Sequence, residues 1–254
     1  MPELIDTHAH LDDASFDADR NAMFSRAREA GVRRQIVPGI DRASWPRIEA
    51  LCADQSGVYP AYGLHPLFLD AHRDTHLDDL PGWLRERKAV AVGEIGLDFY
   101  VEDLDPDRQR RFFREQLEIA REVDLPVILH ARRAVEEVTQ ALKKAGDLRG
   151  VVHSFSGSEE QARHLWKLGF HLGIGGPVTY ERAHRLRGIV ASMPIEFLLL
   201  ETDAPDQPCA HRRGQRNEPA FMLDVLETVA GLRGETVEYV AECTTANAIR
   251  LFQL

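Results

Sequence analysis

Along the chain, short runs of β-branched and apolar residues alternate with longer stretches whose apolar positions recur at helical spacing. The runs 3–8, 34–38, 58–64, 89–94, 126–130, 150–153, 170–174 and 197–203 predict strands. The amphipathic stretches 19–30, 44–53, 76–86, 106–123, 135–145, 159–168 and 181–191 predict helices between them. Asp105-Pro106-Asp107 places a capping carboxylate ahead of a first-turn proline, a good start for the fourth of these. A loop rich in Pro, Gly and Arg follows at 204–217, and two helices near 219–232 and 236–251 close the chain. Strands that are each followed by a helix predict an α/β fold, a single (β/α)8 TIM barrel with parallel strands and additional C-terminal helices. One domain is expected over residues 1–254, since no linker, low-complexity segment or solenoid-length repeat divides it. A doubly wound open sheet shares the local pattern and is the fold alternative.

Polar residues collect at the ends of these strands. Leu4-Ile5-Asp6-Thr7-His8-Ala9-His10 opens the chain, and strand alternation puts Asp6, His8 and His10 on one face. Three polar groups on one side of an apolar strand are costly to bury unless something binds them, and imidazole is a common metal ligand. His65 follows the third strand, Glu94 ends the fourth, His130 the fifth, His153 the sixth and Asp203 the eighth. That is the rim on which barrel enzymes build active sites. Five of the eleven histidines fall there, while the other six scatter over helices, loops and the seventh strand, so chance placement is a poor explanation.

One metal cannot comfortably use four histidines and two carboxylates; two metals bridged by a carboxylate can. The reading assigns His8, His10 and Asp203 to a first metal, His130 and His153 to a second, and Glu94 to the bridge. Such a pair activates a shared water and clamps both oxygens of a displacement, with Asp203 as general base. The set accepts zinc, manganese, nickel or magnesium, and a histidine-rich set leans to zinc or manganese.

Composition narrows the picture. A net charge of −10 argues against coating nucleic acid through a broad basic face, but two divalent ions leave a locally positive mouth suited to an anionic substrate. No apolar run is long enough for a membrane span, and no basic segment precedes the first apolar residues, so a cytoplasmic protein without membrane partners is expected. Cys52, Cys209 and Cys243 are odd in number and widely spaced, which predicts reduced thiols.

The motifs Asp6-Thr7-His8-Ala9-His10-Leu11, Gly63-Leu64-His65-Pro66, Gly93-Glu94-Ile95-Gly96-Leu97-Asp98, Pro126-Val127-Ile128-Leu129-His130, His153-Ser154-Phe155-Ser156-Gly157-Ser158 and Glu201-Thr202-Asp203-Ala204-Pro205 occur in order. Together they make the chain resemble the TatD-type metal-dependent deoxyribonucleases, a branch of the amidohydrolase-like barrels. The resemblance implies the same six metal ligands and magnesium-, manganese- or zinc-supported cleavage of DNA phosphodiesters, 3′-end exonuclease-like on single-stranded or frayed ends. Glu94 stands where related amidohydrolases often carry a carboxylated lysine. Ser154 stands where the family often has Cys or Gly. The segment from Gln207 to Pro219 is similar to one bacterial subgroup.

Around these ligands, His65 is open to a phosphate contact or a general-acid role, against a loop histidine bound to backbone. The resemblance favours Arg132 as a substrate-phosphate contact over a solvated helix-start arginine; Arg133 is balanced between the two. Glu201 points inward with Asp203, either supporting the site or adding a weak metal contact, against pairing with a neighbouring strand. Asp98 supports the Glu94 region or caps the following turn. Arg212, Arg213 and Arg216 form a basic cluster near the mouth that either tracks a strand of DNA or is solvated loop charge. The expected partner is a transiently bound DNA or other phosphodiester, and the expected state a monomer or weak oligomer. The rival functions are an amidohydrolase or esterase on the same barrel, including an aminoacyl-tRNA deacylase, and a metal-binding protein without catalysis.

Overall fold

The computed structural model describes residues 3–254. Its elements run β1 (Leu4–Asp6), α1 (Arg20–Glu29), β2 (Val32–Pro38), α2 (Trp45–Asp54), β3 (Val58–Tyr62), α3 (Asp74–Glu86), β4 (Ala91–Asp98), α4 (Pro106–Glu122), β5 (Val127–Arg132), α5 (Val135–Ala145), β6 (Gly150–Val152), α6 (Glu159–Lys167), β7 (Phe170–Ile174), α7 (His184–Ser192), β8 (Leu198–Leu200), α8 (Met222–Arg233) and α9 (Val237–Phe252). The strands pair in parallel and in sequence order from β1 to β8. This is the expected (β/α)8 TIM barrel, with α8 and α9 as the C-terminal helices. Among the described residues no helix is long and apolar enough to cross a membrane.

The seam between β8 and β1 is closed by the chain just beyond the two strands. The Thr7 amide and hydroxyl both donate to the Leu200 carbonyl, at 3.1 and 3.0 Å. The Asp203 amide donates to the His8 carbonyl at 2.9 Å, and the His10 amide to Ala204 at 2.7 Å. Asp6 adds a side-chain stitch, accepting the Thr202 amide at 3.0 Å and its hydroxyl at 2.5 Å. Complete burial pushes the Asp6 carboxyl up to about 8 despite those bonds. Asp6 therefore closes the barrel, while His8 and His10 are carried on to the rim.

One layer of side chains explains the position of the site. Ile5, Ile36, Ala61, Ala91, Ile128, Val151 and Leu199 pack together inside the barrel, sealed by Ala248, Leu251 and Phe252 of α9. The β6–β7 register aligns His171 with Val151, so β7 contributes an imidazole to this apolar floor. Alternation along a strand returns the same face two residues later. That step leads from Ile128 to His130, from Val151 to His153, from His171 to Gly173 and from Leu199 to Glu201. The polar site thus rests directly on the apolar floor. A second, larger core lies between the strands and the surrounding helices, with Trp45, Phe24, Phe112, Phe113 and Phe170 among its fully buried members.

The structure corrects several strand ends: β6 stops at Val152 and β8 at Leu200, so His153 and Asp203 lie beyond their strands. Glu94 and His130 do not end their strands; β4 runs on to Asp98 and β5 to Arg132. The β4–β5 register skips Gly93 and Glu94, and pairing resumes with Ile95 opposite Leu129. The freed Glu94 amide donates to the Gly39 carbonyl at 2.9 Å, so the end of β2 holds the backbone under this carboxylate. The resumed pairing brings the chains very close at Gly96, whose φ is +146°. A Cβ there would lie 2.0 Å from the His130 carbonyl oxygen, which only glycine avoids.

Candidate metal centre

Glu94 is 2% exposed, and each of its carboxylate oxygens faces a separate group of donors. Oε2 lies 3.2 Å from His8 Nε2 and 3.6 Å from His10 Nε2. Those two nitrogens are 3.3 Å apart, and Asp203 Oδ1 is 3.5 Å from the first and 3.6 Å from the second. Oε1 lies 2.8 Å from His153 Nε2, 3.1 Å from His130 Nδ1 and 3.2 Å from His65 Nε2. His153 Nε2 and His130 Nδ1 are 3.4 Å apart.

These spacings test whether the residues suit a cation. Ligand atoms about 2.0–2.1 Å from a tetrahedral ion lie about 3.3–3.4 Å from one another. Among His8, His10, Glu94 and Asp203, five of the six edges span 3.2–3.6 Å, so His8 and His10 form one triangular face of such a cage with Glu94 and another with Asp203. The donors His130, His153 and Glu94 Oε1 make three corners of a second, with edges of 2.8–3.4 Å. The donor set would suit divalent cations on either side of a shared Glu94.

One imidazole, that of His130, is oriented by a carboxylate behind it. His130 Nε2 donates to Asp98 Oδ2 at 2.8 Å, which leaves Nδ1 as the lone-pair atom facing Glu94. The other Asp98 oxygen accepts the amides of Tyr100 and Val101, at 2.8 and 3.2 Å, so one carboxylate both caps the turn and sets a tautomer. Glu201 Oε1 accepts the Ser154 amide at 2.6 Å and lies 3.6 Å from His153 Nδ1. Gly173 makes room for it, because a Cβ there would stand 2.1 Å from Glu201 Oε2. Asp203 sits in a left-handed turn at φ +57°, a conformation that costs an ordinary residue about 1 kcal/mol and that Asp tolerates better than most. Its Oδ2 is held by the Gln207 amide at 2.5 Å, and Gln207 is fixed in turn by the Ser154 hydroxyl at 2.8 Å.

Sequence reasoning missed Gln207, and it also missed two glutamines of α4. Gln109 accepts the Asp98 amide at 2.9 Å and donates to its carbonyl at 3.0 Å. Gln116 does the same for Leu64, the residue before His65, at 2.7 and 3.1 Å. The signal was present: both are buried, seven residues apart on the helix face that also buries Phe112, Phe113 and Leu117.

The electrostatics are those of a cation site. Burial alone would raise Glu94, yet the surrounding His153, His65 and His8 hold it well below the usual carboxylate range. Burial and the nearby His153 hold His8 far down, and burial likewise takes His65 to about 4. For His153 and His130 burial is outweighed, by Glu94 and Glu201 for the first and by Asp98 and Glu94 for the second, so both shift upward. Burial pushes Asp203 up to about 6. Ligating imidazoles must be neutral, so metal binding would release any proton they carry.

The centre opens into a cleft of about 950 Å³ lined by His65, Phe68, Arg132, Arg185, Asp12 and Asp206 among others. His65 is 4% exposed; its Nδ1 accepts the Leu67 amide at 3.1 Å, so the neutral ring carries its proton on Nε2, facing the centre. Arg132 lines the cleft with its guanidinium 3.7 Å from the Tyr100 ring centre. The loop arginines do not form a basic track. Arg212 pairs with Asp224 at 2.8 Å and lies over Phe221, and Arg216 grips Asp19 with two bonds of 2.7 and 2.8 Å. Both tie the 204–217 loop to helices, and Arg213 alone of the three remains exposed without an ion pair among the described residues.

Comparison with known proteins places this geometry. A family model described as TatD related DNase matches residues 5–253. The chain is 42% identical to the uncharacterized metal-dependent hydrolase YjjV of Escherichia coli K12, over 99% of this chain and 98% of that one. The crystal structure of that TatD homologue superposes with a TM-score of 0.95 at 41% identity, covering 99% of this chain and 98% of that one. The chain is also 36% identical to a protein of Cronobacter sakazakii named 3′-5′ ssDNA/RNA exonuclease TatD, over 98% of this chain and 97% of that one.

Proposed function

The chain belongs to the TatD-related DNase family and is a metal-dependent hydrolase, and from that premise we propose that it cleaves nucleic-acid phosphodiesters at single-stranded or frayed 3′ ends. The observation that carries this reading is the bridging carboxylate, with one oxygen of Glu94 in each of two donor groups. His8, His10 and Asp203 would hold one divalent cation and His130 and His153 the other. A bound pair of such ions lowers the pKa of water between them and neutralises charge on phosphoryl oxygens.

The remaining work falls to side chains. Asp203 accepts the proton of the attacking water, and Gln207 holds its second oxygen in place. His65 is a neutral donor at physiological pH, since burial holds it near a pKa of about 4; its Nε2–H stabilises charge on the phosphate. Arg132, free of any carboxylate within 4.0 Å among the described residues, contacts the phosphate from the other wall. Because the centre lies at the bottom of a cleft, a stacked duplex cannot reach it, whereas an unpaired end can.

A second reading rests on Asp12, Asp13 and Asp206, which also line the cleft and would suit the ammonium group of an aminoacyl ester. The experiment is product analysis with metal-loaded protein on 5′-labelled single strands, blunt duplexes and charged tRNA. The proposal expects stepwise shortening of single strands, with Asp203→Asn slower by at least about a thousandfold. Intact oligonucleotides alongside deacylated tRNA would transfer the site to the second reading, and intact substrates throughout would refute both.

A further inference from the structure

Beside the metal cleft lies a second chamber of about 830 Å³, and Arg132, Ser156, Gly157 and Arg185 line both. Phe99, Tyr100 and Arg133 line only the second. Tyr100 is 47% exposed, and its neighbour Val101 is exposed as well. With Leu67 and Phe68 on the metal cleft, three of the six exposed large hydrophobic residues among those described line these openings, and Val101 adjoins Tyr100 in sequence. That clustering marks a binding surface.

The charge distribution points the same way. The guanidinium groups of Arg132 and Arg133 lie 3.7 and 4.7 Å from the Tyr100 ring centre. Arg185 is held by a 2.9 Å bond to the Ser156 carbonyl. None of the three has a carboxylate within 4.0 Å among the described residues, whereas Arg212 and Arg216 nearby on the C-terminal loop are tied in ion pairs. The two acids lining the chamber are engaged: Glu137 takes a two-pronged contact from Arg110 at 2.5 and 3.2 Å, and Glu136 accepts from Gln140 at 2.9 Å.

Uncommitted cations beside exposed aromatic surface suit a flexible polyanion with stacking faces, the chemistry of single-stranded nucleic acid. A small phosphoester would fill the metal cleft and leave this chamber idle. We propose that the second chamber binds the strand that continues from the scissile nucleotide, with phosphates on Arg133 and Arg185 and a base against Tyr100. The inference rests on the phosphodiesterase reading of the metal cleft.

The test compares two-nucleotide and six-nucleotide deoxyoligonucleotides on the metal-loaded protein. Binding is read by anisotropy on labelled phosphorothioate versions, which keep their charge and resist cleavage; turnover is read as kcat/KM on the natural ones. The hexamer is expected to bind at least about tenfold more tightly than the dimer. Tyr100→Leu and the double variant Arg133→Gln/Arg185→Gln should collapse that ratio toward one. The salt slope for the hexamer should fall by roughly 0.7 for each arginine removed. Equal affinity for the two lengths would overturn the proposal. So would variants that weaken dimer and hexamer alike, the result expected if Tyr100 merely seats Arg132. A wild-type protein that cleaves no oligonucleotide refutes the phosphodiesterase reading, and the binding ratio then decides the chamber by itself.

Discussion

Replacing Asp98 by Asn tests whether the site depends on a carboxylate that cannot itself reach the cations. In the native arrangement Asp98 accepts the proton of His130 Nε2 at 2.8 Å, leaving Nδ1 free toward Glu94. An asparagine can keep its oxygen on the Tyr100 and Val101 amides, which preserves the turn. Its NH2 group then faces His130 Nε2 and drives the ring proton onto Nδ1, the atom needed as a ligand. A charge-assisted hydrogen bond of this kind contributes about 1.5–3 kcal/mol. At about 1.4 kcal/mol per factor of ten, metal affinity should fall roughly tenfold to a hundredfold, the range typical of outer carboxylate partners. The assay is competition with a chromophoric chelator, with circular dichroism as the check on folding. One of two binding events should weaken while the other stays put. Affinity within threefold of the parent for both events, in a folded variant, would refute the tautomer argument.

Two further outcomes follow from buried groups outside the donor set. Gln116→Leu strands the Leu64 amide and carbonyl in the interior, a loss of about 2–4 kcal/mol, or roughly 5–12 °C in thermal unfolding; an unchanged midpoint would show that α4 does not support the His65 loop. His171 in the barrel floor is lowered by burial to about 4, so between about 6.5 and 4 the unfolded chain binds a proton that the folded chain refuses. Stability through this group is therefore present at high pH and lost as pH falls, and His171→Leu should flatten the acid limb of a urea-unfolding series; a parallel loss in parent and variant would contradict that.

Much of this molecule could be read from residue order. Eight apolar runs separated by helical patterns are enough for a parallel barrel, because right-handed crossovers leave few alternatives. The side chains placed at strand ends do converge around Glu94, since alternation along a strand decides which face a residue takes. What alternation does not decide is register between strands. The two residues skipped at Gly93 and Glu94 let β4 and β5 run past the site, and that extension carries Asp98 to within reach of His130. Gln207 and Asp203 are close in sequence, but their contact depends on a left-handed turn at Asp203 that the sequence pattern does not announce. The arginines of the 204–217 loop looked like a free cluster because Asp19, the partner of Arg216, lies almost the whole chain away.

Anomalous diffraction from crystals grown with manganese or zinc tests the central claim most directly. Two peaks should flank the Glu94 carboxylate, one among His8, His10 and Asp203 and the other beside His130 and His153. A single peak, or peaks for which Glu94 is not shared, would contradict it.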